Sequence, residues 1–207
     1  MTRSAARWRI VCLVSLGIFL GLGLGAYATG VLPGDVLLRR ELLVSDTGIV
    51  RTLARWVNYG GRAEVLVPGT LLLFALSSMA RRRWWLWCAV LIGAPTIQHV
   101  VKFLVGRSRP SGSAVGFPSG HATAATAFAV VLIYIASRER LGRAQRLAID
   151  ALAICLMLGV GWARIVRHAH WPSDVLGGFL LGICCATAAV WWETSRPEAA
   201  TEGPTGR

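Results

Sequence analysis

The chain has 207 residues, 55% of them apolar and only 15% charged, and carries a formal net charge of +12. So basic a balance would suit nucleic acid, but the arginines stand between apolar runs long enough to span a bilayer, and no RNA- or DNA-binding motif occurs, which argues against that partner. Cys12, Cys88, Cys155, Cys184 and Cys185 all fall inside apolar runs without metal-ligand spacing, and they read as small packing residues.

Six apolar segments follow in order, at about 10–30, 63–80, 84–104, 119–137, 147–166 and 172–192. Lipid cannot satisfy an open backbone, so each is expected to be a helix, and the fold class is an all-α, polytopic membrane bundle of six spans. The first segment follows Arg3, Arg7 and Arg9 and ends near Ala26-Tyr27-Ala28, as a signal peptide would. Its apolar stretch is long for a signal core, which favours an uncleaved helix. Gly17, Gly21 and Gly25 give it a flat face, suited to another helix of this chain or to a second copy in a homo-oligomer.

Within the connection 31–62, the stretch Asp46–Val57 mixes Ile49, Val50, Leu53, Trp56 and Val57 with Arg51 and Arg55. It reads as an amphipathic helix on the outer membrane surface, either a lid or lipid-entry guide or an ordinary connecting helix. Trp84, Trp85, Trp87, Trp171, Trp191 and Trp192 lie near segment ends, as an interfacial belt requires. The short connections 81–83 and 138–146 are densely positive, so the positive-inside rule places both termini in the cytoplasm. Residues 1–193 then form one membrane domain and 194–207 a disordered tail.

Three fragments fall together on the opposite, outer side. Lys102 ends the third segment and Arg109-Pro110 follows it; either cation could snorkel to headgroups or grip a phosphate, and Arg107 between them reads equally as a solvated loop residue. Pro118-Ser119-Gly120-His121 is a helix start with Ser119 as N-cap, whose free N–H groups and Gly120 suit an anion, and whose His121 could donate a proton. In the third fragment Arg164 precedes His168, His170, Pro172 and Asp174. Pro172 suits the first position of a helix, so Asp174 falls four residues after His170, where its carboxylate could fix the imidazole tautomer. The His168 ring should point elsewhere.

Each residue alone has a structural explanation; together they do not scatter well. An Arg, Lys or Asp placed mid-bilayer costs about 2.5–3.5 kcal/mol on insertion scales, which disfavours decorating four span ends without a use. Three cations with one carboxylate leave positive charge for a phosphate dianion. A non-hydrolytic lipid-phosphate transporter or binding protein could use the same cations, but would have no need of His170 oriented by Asp174.

These motifs resemble the type 2 phosphatidic acid phosphatase superfamily, the lipid phosphate phosphatases. Its pattern is K-x6-R-P, P-S-G-H and S-R-x5-H-x3-D, matched here by Lys102 to Arg109-Pro110, by Pro118 to His121, and by Arg164, His170 and Asp174, with Ala163 where the family usually has Ser. The resemblance implies His170 as nucleophile, Asp174 as its orienter and His121 as proton donor. It implies Lys102, Arg109, Ser119, Gly120 and Arg164 as phosphate ligands, with Ala163 removing one possible hydroxyl contact. It further implies a metal-independent phosphatase without cofactor, working through a phosphohistidine on a membrane lipid phosphate. The expected setting is a bacterial cytoplasmic membrane with the site facing outward. Among substrates an undecaprenyl diphosphate-like carrier is favoured, with phosphatidylglycerol phosphate, phosphatidic acid and lipid A phosphate as alternatives.

Overall fold

Every regular element among the described residues (3–43, 47–112 and 115–196 of the computed structural model) is helical. In chain order they are α1 (Arg3–Thr29), α2 (Asp35–Leu43), α3 (Gly48–Asn58), a 3-10 turn (Tyr59–Gly61), α4 (Ala63–Leu76), α5 (Ser78–Arg82), α6 (Trp84–Val105), α7 (Gly120–Arg138), α8 (Arg143–Val166) and α9 (Pro172–Ser195). Five of them, α1 and α6–α9, are long and apolar enough to cross a membrane.

The remaining expected span, 63–80, is divided. Ser77 is extended (φ −113°, ψ 119°), and its hydroxyl accepts the Ala80 N–H at 3.0 Å while donating to Glu139. It thereby ends α4 and caps α5. Fourteen residues of α4 reach about 21 Å at 1.5 Å per residue, short of a hydrocarbon core of about 30 Å. The amphipathic stretch is present as α3, capped by Thr47 at the Val50 N–H; Asp46, its expected first residue, lies outside the described residues. Ala54 packs with Ala163 and Val166 of α8, leaving Ile49, Leu53 and Trp56 exposed on the other face.

At the centre stands α9, against α1 on one side and α7 on the other. Gly178 and Gly182 allow that second contact to reach backbone distance: a β-carbon at either position would lie 2.7 Å from a carbonyl oxygen of α7 or its cap, Ser119 or Thr123. A further tie runs from the Ser119 N–H to the Asp174 carbonyl at 2.9 Å. Leu73, Trp87, Val90, Val131, Ile135 and Val190 fill the core at the other end of the bundle.

The buried side of α1 is Ala5, Cys12, Ser15, Phe19 and Ala26, rather than its glycine face. Gly17 and Gly21 have nothing within 4 Å of a virtual β-carbon, and Gly25 sits under Leu32. The final helix continues to Ser195, past the expected boundary at 193, and the remainder of the tail from 197 lies outside the described residues.

Candidate active site

Four helix ends meet. Lys102 occupies the last turn of α6; Gly106, left-handed at φ 64°, closes that helix and turns the chain into 107–110. His121 is in the first turn of α7, Arg164 in the last turn of α8, and His170 two residues before α9. Together Lys102, Arg109, Gly120, His121, Arg164 and His170 line one end of a cavity of about 700 Å³. Leu66, Leu71, Phe74, Leu91 and Ile92, from α4 and α6, form an apolar wall along the rest of it.

His170 is 1% exposed, and its Nδ1 lies 3.4 Å from Asp174 Oδ2. A carboxylate accepts only, so Nδ1 carries the proton and Nε2 keeps its lone pair. The carboxylate is itself held: Oδ2 accepts the Trp171 N–H at 2.9 Å and Oδ1 accepts Arg107 Nη1 at 2.7 Å. Burial pushes His170 down from 6.5 to about 4; the hydrogen bond to Asp174 opposes this, and the positive charges of Arg164 and Lys102 add to it. The imidazole is therefore neutral near pH 7.

The cations are steered from outside the three motifs. Arg164 Nη1 donates to Asn58 Oδ1 at 2.6 Å, while its buried Nε has no acceptor in the protein. Arg109 Nε donates to the Val115 carbonyl at 3.3 Å. Gln98, one turn before Lys102, places Oε1 2.6 Å from where a β-carbon on residue 120 would stand. The space beside Gly120 is thus filled by an amide side chain as well as offered to the cavity.

The other residues singled out in the three fragments lie outside the cavity lining. Ser119 begins α7 but makes no side-chain cap; its hydroxyl is buried without a protein partner, and Ser119 is absent from the cavity lining. Asp174 likewise lies behind the cavity wall, reaching it through His170. Arg107 is no solvated loop residue: it is buried, bonded to Asp35, Ser173 and Asp174. Ala163 is fully buried in the cluster with Ala54 and Val166 and does not line the cavity. His168 does point elsewhere, its Nδ1 accepting from Arg39. Asp35, Asn58 and Gln98 escaped sequence reasoning, because nothing in their local spacing links them to residues far along the chain.

Comparison with known proteins shows the family and the fold. The PAP2 superfamily model matches residues 83–198. The chain is similar to the decaprenylphosphoryl-5-phosphoribose phosphatase of Mycobacterium tuberculosis, 32% identical over 69% of this chain and 80% of that protein. The protein of that name from Mycolicibacterium smegmatis is 36% identical over 69% and 79% of the two chains. In fold it is similar to a transmembrane PAP2-type phosphatidylglycerolphosphate phosphatase from Bacillus subtilis, with a TM-score of 0.79, 20% identity, and coverage of 91% of this chain and 98% of that one. A helical, multi-pass bundle with a cation-lined cavity of this kind defines a membrane-embedded phosphatase. Within that class, the chain belongs to the PAP2 superfamily.

Proposed function

We propose that this chain removes phosphate from a polyprenyl carrier lipid, with His170 as the nucleophile. One observation carries the reading: a single cavity is cationic where the two histidines lie and apolar along α4 and α6. An ordinary soluble phosphate ester has no use for the apolar wall, whereas a lipid phosphate fills both parts. The mycobacterial relatives act, by name, on a decaprenyl-linked phosphoribose, which favours a polyprenyl chain over a diacyl one. An undecaprenyl diphosphate-like carrier belongs to the same substrate class.

In the first step His170 Nε2 attacks phosphorus, forming an N–P bond as the P–O bond to the lipid breaks. The bonding pair leaves with the lipid oxygen, and His121 protonates it. Lys102, Arg109 and Arg164 hold the equatorial phosphoryl oxygens, where charge is spread in the transition state, and the Gly120 amide adds a helix-N-terminal donor. In the second step water attacks the phosphohistidine, His121 takes the water proton, and the N–P pair returns to His170. Asp174 keeps the imidazole in one tautomer throughout and stabilises the positive charge it acquires. Ser119 supports this end of α7 from beneath rather than from the cavity.

The densely basic connections 81–83 and 138–146 support a site on the outer side of a bacterial cytoplasmic membrane, with α3 along the interface. Purified protein should release inorganic phosphate, in chelator, from decaprenyl-phosphoribose phosphate or undecaprenyl diphosphate in preference to phosphatidylglycerol phosphate, phosphatidic acid or lipid A phosphate. Rapid quench with labelled substrate should leave an acid-labile phosphoryl group on the wild type and none on His170→Ala. Full turnover by His170→Ala would remove the nucleophile assignment, and movement of intact lipid without phosphate release would point to transport.

A further inference from the structure

The His170–Asp174 pair does not stand alone. Arg107 Nη1 donates to Asp174 Oδ1 and to Ser173 Oγ, each at 2.7 Å, and Arg107 Nη2 pairs with Asp35. Asp35 also accepts the Ser173 N–H at 2.9 Å and the Ser173 hydroxyl at 2.8 Å. It therefore caps the start of α9, the helix that carries Asp174, although it is 138 positions away from Ser173 in sequence. All four charged or titratable members of this chain are at most 3% exposed.

Position and charge both bear on the nucleophile. Arg107 lies between two carboxylates, so its single positive charge is divided. With Asp35 neutral, that charge would bear on Asp174 alone and weaken its hold on the His170 N–H. The element that supplies Asp35 is also firmly placed. One face of α2 presents Asp35, Arg39 and Leu42 at successive helical turns. Arg39 bonds His168 and lies 5.6 Å from the Trp171 ring centroid, and Leu42 packs against the cluster of Ala122, Ile165 and Val175. The face is turned onto the connection that bears His170 and the helix ends beside it.

We propose that Asp35 and Arg107 are positioning residues, which set the orientation and charge of the His170–Asp174 pair and make α2 part of the working enzyme. The proposal rests on His170 as the nucleophile. Asp35 touches neither the cavity nor its charged lining, so its influence must travel through Arg107, Ser173 and Asp174.

The test compares Asp35→Asn, which keeps the shape and removes the charge, with Ser173→Ala, which removes a link without leaving a buried charge unpaired. His170→Ala is assayed alongside. Initial rates are measured in detergent with a lipid phosphate the wild type hydrolyses, and each variant's melting temperature is recorded. Asp35→Asn should lower kcat by about 10–100-fold, the usual scale for loss of an orienting outer partner, with KM within about twofold. Ser173→Ala, folded as the wild type, should lower kcat by a few-fold, again at unchanged KM. A wild-type kcat in Ser173→Ala and Asp35→Asn, or a loss confined to KM, overturns the proposal. If His170→Ala is inactive in that case, the nucleophile assignment stands and only the positioning role falls. If His170→Ala is fully active, both fall.

Discussion

Gly61 lies so close against His121 that a β-carbon at position 61 would stand 2.8 Å from His121 Cβ and 2.9 Å from its carbonyl oxygen. The connection between α3 and α4 therefore sets the place of the proposed proton donor by direct contact. Val160 closes the other side at 2.9 Å, so the contact cannot relax in that direction. Gly61→Ala should displace His121 and lower kcat by about tenfold or more, since a shift near 1 Å at a reacting group commonly costs about 100-fold. Steady-state rates beside an unchanged circular dichroism spectrum check this; a kcat within twofold of wild type would disprove it.

Arg164 depends on Asn58 in a comparable way. Hydrogen bonds to charged groups contribute about 1.5–3 kcal/mol, and about 1.4 kcal/mol is tenfold in an equilibrium. Asn58→Ala should therefore reduce kcat/KM by about tenfold or more. Asn58→Asp should do worse, because a carboxylate beside Arg164 competes with phosphate for the guanidinium. Product inhibition by inorganic phosphate offers a second readout: its inhibition constant should rise in both variants, and most in Asn58→Asp.

The burial of His170 carries a definite pH sign. Its affinity for protons falls from an ordinary value of 6.5 to about 4 in the native state. The unfolded chain therefore binds a proton first as pH drops, so the native state keeps its full stability above about 6.5 and loses it progressively down to about 4. At one pKa unit per 1.36 kcal/mol the loss is on the order of 3 kcal/mol. Melting temperature in detergent should fall between pH 6.5 and 4, and His170→Gln should flatten that slope. An equally steep slope in the variant would show that His170 is not its source.

Ala163 stands where the superfamily pattern usually has Ser, yet it packs beneath Ala54 and Val166. Ala163→Ser should leave KM within about twofold, because a hydroxyl there meets core rather than cavity. The cost falls on stability instead, at about 1–3 kcal/mol if the hydroxyl finds no acceptor. A clear drop in KM would mean that position 163 reaches the phosphate after all.

How much of this was readable in advance differs by residue. Lys102, Arg109, His121, Arg164 and His170 were all marked by charge at the end of an apolar segment, and all five line the cavity. The His170–Asp174 pairing followed from spacing within one fragment. Arg107 was visible but misjudged, since a loop arginine gives no local sign of burial between two carboxylates. The division of the 63–80 segment escaped notice because Ser77 is capped through Glu139, 62 positions later.

Amphipathic pattern, helix-start residues and charge at span ends are local properties, so the residue order alone determined a helical membrane bundle and the residues that gather at its candidate site. Which side chains hold those members is a matter of contact between segments distant in the chain. Asp35 beneath Arg107, Asn58 on Arg164, Gly61 against His121 and Gly178 against α7 arise only when the helices pack. The enzyme class is written in short motifs; the orientation of the proposed nucleophile is decided by tertiary structure, because a buried charge takes its partner from whatever the fold brings within hydrogen-bond reach.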